Sequence, residues 1–227
     1  EEALAALRPH LPQILAQEIV FVDDGSDDGT RAALDAIAQE DDRVRVVVHE
    51  ANRGVGAAMR TGIQATTGDV VVVYDADRTY PLEDAQRLID ALGPEIDVAT
   101  ATPFGEGGGL EEVPAARSFL SKAAVGAYKL VLGRKGKDLS VFTCAFRAWQ
   151  GPFARALVWS SDGFPAAAEQ LGRALLAGGR AVEVPSTLRR RTEGVSKMRV
   201  LPASLGHLGV LARLAWARIA GAGKKPA

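Results

Sequence analysis

The chain is 227 residues long, enough for one α/β domain with a sizeable core, and its 27 basic residues against 28 acidic ones leave no overall field that would recruit nucleic acid. Its one cysteine, Cys144, cannot form an internal disulfide, so nothing points to an oxidising compartment; the thiol is expected to pack as a small apolar group in a strand. No stretch reaches the roughly 18 apolar residues of a bilayer-crossing helix.

The first element is the strand-forming run Glu18-Ile19-Val20-Phe21-Val22, which passes into Asp23-Asp24-Gly25-Ser26-Asp27-Asp28-Gly29-Thr30. Ala32, Ala33, Leu34, Ile37 and Ala38 then recur at helical spacing, giving a β-loop-α unit with Thr30 or Asp28 placed to cap the helix. A second unit follows, with a strand over 44–49, the loop Glu50-Ala51-Asn52-Arg53-Gly54-Val55-Gly56, and a helix carrying Ala57, Ala58, Met59, Ile63 and Ala65. In an open α/β sheet such loops sit at the carboxyl ends of strands, the edge where ligands bind. Asn52-Arg53-Gly54 reads either as a plain turn or as an arginine brought to that edge.

A third strand, Val70-Val71-Val72-Val73-Tyr74, ends in Asp75-Ala76-Asp77. Two carboxylates one residue apart at a strand end suit a hard cation such as Mg²⁺ or Mn²⁺, which prefers oxygen donors shared with substrate phosphates. The chemistry suggested is transfer of a group attached to a diphosphate. Acidic residues after a strand also serve as turn or N-cap residues, so the pair alone does not decide.

Further along, the glycines of 102–110 predict a mobile surface loop, either a linker or part of an acceptor entrance. A helix is expected from Ala115 to Leu132, with Phe119, Leu120, Ala123, Ala124, Ala127, Leu130 and Val131 on its core-facing side. From 201 to 222, Leu205, Leu208, Leu211, Leu214 and Ile219 interleave with Arg213 and Arg218, and Trp216 sits near the end. That is a basic amphipathic helix, suited to a membrane headgroup region or to packing on its own domain. His10, His49 and His207 do not cluster with a cysteine or carboxylate at ligand spacing, and no Gly-x-Ser-x-Gly nucleophile elbow is present.

Taken together, Val22-Asp23-Asp24-Gly25-Ser26 with Asp28-Gly29-Thr30, Asn52-Arg53-Gly54 with Gly56, and Gly68-Asp69 leading into Asp75-Ala76-Asp77 resemble the family-2 glycosyltransferases. The likeness narrows with Asp77-Arg78-Thr79-Tyr80-Pro81-Leu82-Glu83, Thr143-Cys144-Ala145-Phe146-Arg147-Ala148-Trp149, Glu183-Val184-Pro185 and Arg191-Thr192-Glu193-Gly194-Val195-Ser196-Lys197-Met198. These look like the subgroup that moves a sugar onto a polyprenyl phosphate, similar to dolichyl-phosphate mannose synthases.

The resemblance implies a Rossmann-like nucleotide-diphospho-sugar transferase (GT-A) fold, a mostly parallel sheet flanked by helices. It also implies a catalytic domain over 1–200 and a basic amphipathic tail over 201–227 that associates with a membrane. On the same resemblance, the chain starts at the tail of a nucleobase-clasping segment, so the family's first strand is expected to be missing, with an unpaired edge beside 18–22.

The implied reaction moves a hexose with inversion from GDP-mannose or a UDP-sugar to a polyprenyl phosphate, at the cytoplasmic face of the membrane and without nucleic acid. Asp24 would bind the base and Arg53 flank it, Asp75 would steady the ribose or the metal, and Asp77 would hold Mg²⁺ or Mn²⁺ on the diphosphate with Thr79 as a further oxygen ligand. Arg147, Arg191, Ser196 and Lys197 match motifs that gather phosphates. A lipid phosphate needs no strong base, because its second pKa of about 6 leaves it anionic near neutral pH. If the acceptor were a hydroxyl, as in transfer to a polysaccharide or protein, Glu169 would be the candidate base, or else a buttress for Arg147. A third reading is a non-catalytic nucleotide-binding remnant.

Overall fold

The computed structural model describes residues 17–111, 115–190 and 200–221. Two successive β-loop-α units open it, as the sequence predicts. Strand β1 (Ile19–Asp23) lies parallel to β2 (Val44–Val48), with Ile19 opposite Val44 and Asp23 opposite Val48. Between them runs α1 (Thr30–Glu40), which buries Leu34 and Ile37. At its start the Asp28 carboxylate accepts the Thr30 amide at 2.9 Å. Helix α2 (Val55–Ala65) follows β2 and buries Ala57, Met59 and Ile63.

The second sheet has the order β3-β6-β4-β7, formed by β3 (Val70–Val73), β4 (Val98–Thr102), β6 (Arg147–Gln150) and β7 (Ala181–Pro185). Between β3 and β4 lies the short helix α3 (Asp84–Asp90). Strand β6 runs antiparallel to both β3 and β4, a departure from a wholly parallel sheet, while β4 and β7 are parallel. Immediately after β6 comes α5 (Gly151–Ala156), whose Gly151 amide donates to the Asp69 carbonyl at 2.6 Å. A Cβ at Gly151 would collide with the Gly68 carbonyl, so only glycine permits this crossing.

Among the described residues no strand joins β1 to β3. The two sheets meet instead through side chains: Ile37 and Val44 form a small core to which Phe21, Tyr74 and Leu82 contribute. The larger core lies between the second sheet and three helices, α4 (Ala115–Leu132), α6 (Ala166–Leu176) and α7 (Val200–Ile219). It brings together Ile63, Trp149, Tyr128, Leu171, Val210 and Leu214.

Several expectations are corrected here. The helix over 115–132 forms with the expected bounds, but Leu130 is 82% exposed and the inward side is marked by Tyr128 and Leu132. Of the two placements open to the helix beginning at Val200, one of its sides packs on its own domain, where Val210, Leu214 and Ala217 belong to the main core. Segment 102–110 is anchored, since β5 (Gly109–Leu110) pairs in parallel with β8 (Thr187–Leu188). Cys144 is buried as expected, but in the loop before β6 and not in a strand; burial pushes its thiol up to about 11.

Candidate active site

The turn after β3 carries the aspartate pair. Arg78 takes a left-handed conformation, φ 54°, uncommon for a residue with a Cβ and characteristic of a tight functional turn. Its amide donates to the Asp75 carbonyl at 3.3 Å, and the Thr79 amide donates to Asp77 Oδ1 at 3.1 Å. The Thr79 carbonyl in turn accepts the Arg189 amide at 2.8 Å, tying the turn to the strand end after β8. Asp75 and Asp77 thereby line a cleft of about 260 Å³. Val55 and Met59 of α2 form one wall, Thr143 and Ala145 of the loop before β6 another, and Phe164 and Ala167 at the start of α6 the third.

Asp24 organises the neighbouring loop. Its Oδ1 accepts the Arg53 amide at 2.9 Å and its Oδ2 the Gly54 amide at 2.8 Å, while the Asn52 side-chain amide donates to its carbonyl at 3.1 Å. His49 Nδ1 lies 2.6 Å from Oδ1, and His49 Nε2 lies 2.9 Å from the Thr61 hydroxyl. Burial alone would raise the Asp24 pKa, but the His49 hydrogen bond and the two loop amides outweigh it and hold the carboxyl below its usual range. An ionised carboxylate only accepts, so the His49 Nδ1–H donates to Asp24. Contrary to the expectation from spacing, this histidine does meet a carboxylate, brought to it by fold rather than by sequence proximity. Gly54, at φ 97°, faces the Asp162 carbonyl, which a Cβ would approach to 2.5 Å. The Arg53 side chain stays exposed on this loop.

Arg147 lies elsewhere than the phosphate-gathering reading expects. Fully buried, it donates from Nε to Thr100 Oγ1 at 3.2 Å, from Nη1 to the Ala167 carbonyl at 2.6 Å and from Nη2 to the Phe142 carbonyl at 2.7 Å. Burial lowers its pKa to about 10, which leaves it charged at neutral pH. Residues 147 and 149 share the strand face turned toward α6, so Arg147 braces the back of the cleft wall instead of lining it. From the other side Glu183 holds the same loop, accepting the Ser140 amide at 2.6 Å, the Val141 amide at 2.9 Å and the Ser140 hydroxyl at 2.7 Å.

Glu169 is likewise displaced from both roles expected of it. Buried completely, it accepts the Ser161 amide at 2.9 Å and the Ser161 hydroxyl at 2.6 Å, and it pairs with Arg213 of α7 at 2.9 Å. Burial would raise its pKa; the bonds from Arg213 and Ser161 outweigh that and hold it at about 2. A carboxylate so committed neither takes a substrate proton at neutral pH nor contacts Arg147. Arg191, Ser196 and Lys197 lie outside the described residues. Sequence reasoning passed over His49, Glu183 and Arg213 as site-shaping groups. His49 directly follows β2 on the ligand edge, and Glu183 sits in a motif already singled out, whereas nothing local to Arg213 marks its partner.

An α/β sheet with βα loops at one edge and an Asp-x-Asp turn beside the cleft is the arrangement of a GT-A fold. Solved structures agree: glucosyl-3-phosphoglycerate synthase from Mycobacterium tuberculosis with UDP superposes with a TM-score of 0.70 at 19% identity, over 94% of this chain and 75% of that one. That enzyme has also been solved with Mn²⁺ and UDP-glucose. Residues 2–152 match glycosyl transferase family 2, and the chain belongs to that family and is a glycosyltransferase. Polyprenol monophosphomannose synthase of Mycolicibacterium smegmatis is 34% identical over 194 residues, covering 82% of this chain and 71% of the relative. Dolichol-phosphate mannosyltransferase of Pyrococcus furiosus is 30% identical over 82% of this chain and 52% of the relative, so the chain spans about half of that protein's length.

Proposed function

We propose that the protein transfers a hexose, with inversion, from GDP-mannose or a UDP-sugar to a polyprenyl phosphate. The observation that carries this reading is the commitment of Glu169 to Arg213, set against a cleft whose acidic lining, among the described residues, is Asp75 and Asp77. A hydroxyl acceptor calls for a positioned base. A phosphate monoester, with a second pKa of about 6, attacks as the anion it already is. The relatives that act on polyprenyl phosphates support the same acceptor.

Asp77 and Asp75 would hold the divalent cation, with the Thr79 hydroxyl as a further oxygen. Two carboxylates on an open cleft wall fit Mg²⁺ or Mn²⁺, which usually keep substrate oxygens in their shell. Bound there, the cation neutralises charge on the departing diphosphate. Asp24 fixes the Asn52-Arg53-Gly54 loop on the nucleotide side, with Arg53 flanking the base. The basic segment carrying Arg191, Ser196 and Lys197 gathers phosphate, and Arg147 keeps the loop before β6 in place.

The outer side of α7 presents Leu205 at 60%, Leu208 at 62%, Trp216 at 73% and Ile219 at 81% exposure. Among the described residues no helix is long and apolar enough to cross a membrane. An exposed apolar stripe with an indole and the neighbouring Arg218 suits a helix lying in the headgroup layer, beside a lipid acceptor. The test is a screen of GDP- and UDP-linked hexoses with a short-chain polyprenyl phosphate. Transfer to that lipid is expected, and transfer only to a glycan or protein hydroxyl would overturn the reading.

A further inference from the structure

We infer that Arg213 is a positioning residue: from the C-terminal helix it sets the cleft wall made by Phe164 and the start of α2. This deepens the reading of the cleft as a catalytic site and rests on it. Arg213 donates from Nε to Glu169 Oε1 at 3.1 Å, and from Nη2 to Glu169 Oε2 at 2.9 Å and to the Ser161 hydroxyl at 2.7 Å. Glu169 completes the triangle by accepting the Ser161 amide and hydroxyl.

The next residue carries the constraint to the cleft. The Asp162 carbonyl accepts the Gly56 amide at 2.6 Å and the Ala57 amide at 3.3 Å, the first turn of the helix that brings Val55 and Met59 to the cleft. The Asp162 carboxylate also pairs with Arg60 one turn on. Contact is so close that a Cβ on Gly56 would sit on the Ser161 carbonyl and the Ala166 side chain. Two residues beyond Asp162, Phe164 forms the facing part of the wall. A shift of 160–162 therefore cannot occur without moving the start of α2. Since Arg213 projects from the helix proposed to lie on the membrane, the wall is registered against the surface that delivers the lipid acceptor.

The test uses the full chain with Arg213→Lys, which keeps the charge but loses the forked contact. Amide hydrogen exchange should accelerate about tenfold or more at Ser161, Gly56 and Ala57, the scale of one lost charge-assisted hydrogen bond, while amides of β3 and β6 stay within about twofold. In the same variant the KM for short-chain polyprenyl phosphate should rise about tenfold with nucleotide affinity unchanged. Ser161→Ala, which spares the ion pair, should reproduce the local exchange pattern more weakly and serves if Arg213→Lys does not fold. Exchange unchanged at those three amides, or raised evenly through the molecule, would overturn the inference. The exchange pattern needs no substrate, so it decides the role of Arg213 even if the wild-type enzyme proves to use another acceptor.

Discussion

Arg147 and Ala167 are joined across the back of the cleft, the guanidinium of a β6 residue donating at 2.6 Å to a carbonyl in the first turn of α6. No carboxylate lies within ion-pair distance of Arg147 among the described residues, so its buried charge is held by the Ala167 and Phe142 carbonyls and the Thr100 hydroxyl.

Lysine cannot place three donors in that planar fork, so Arg147→Lys should destabilise the fold by about 1.5–3 kcal/mol, one charged hydrogen bond's worth. Urea denaturation at neutral pH reads this directly. A variant as stable as the wild type would mean that Arg147 is not the brace described.

Glu169 predicts a pH dependence. Its folded pKa of about 2 lies below the ordinary 4.5. The stability it contributes is thus present above about pH 4.5 and is lost as pH falls from there toward 2, amounting to roughly 3 kcal/mol. Glu169→Gln should be less stable at pH 7 and should show a flatter loss of stability between pH 5 and 2, measured as urea midpoints. Transfer by the wild type should show no activity limb belonging to Glu169 above pH 5.

How far the sequence carried can be judged from these same residues. The βα units were legible because strand propensity, acidic and glycine-rich loops and helical spacing are local signals, and the helix over 115–132 was found for that reason. The motif containing Arg147 singled out the segment, yet the direction of the side chain depends on β6 turning its odd positions toward α6, which follows from antiparallel pairing to two strands distant in sequence. Glu169 and Arg213 are 44 residues apart and meet only because α7 packs on α6. The separation of β1 and β2 from the sheet that holds β3 is marked by no local pattern, because it depends on which strands pair across the fold.

The exposed stripe on α7 predicts lipid-surface binding that can be removed without harm to the fold. Leu208→Ser with Trp216→Ser should weaken binding to anionic phospholipid vesicles by about tenfold to a hundredfold, since each side chain gives up one to a few kcal/mol of apolar burial. Because both are mostly exposed, the melting temperature should stay nearly constant. Sedimentation with vesicles checks the first expectation, and equal binding by the double variant would detach α7 from the membrane.

The most direct measurement is sugar transfer itself, comparing the wild type with Asp77→Asn. Asparagine still accepts the Thr79 amide, so the turn is kept while the charge for a cation is lost. Labelled GDP-mannose and UDP-hexoses would be offered with a short-chain polyprenyl phosphate and Mn²⁺ or Mg²⁺, and label counted in the organic phase. The account predicts metal-dependent lipid labelling by the wild type from one of these donors, and a fall of about a hundredfold or more in the variant at unchanged melting temperature. Undiminished labelling by Asp77→Asn, or none by the wild type with any of these donors, would contradict it.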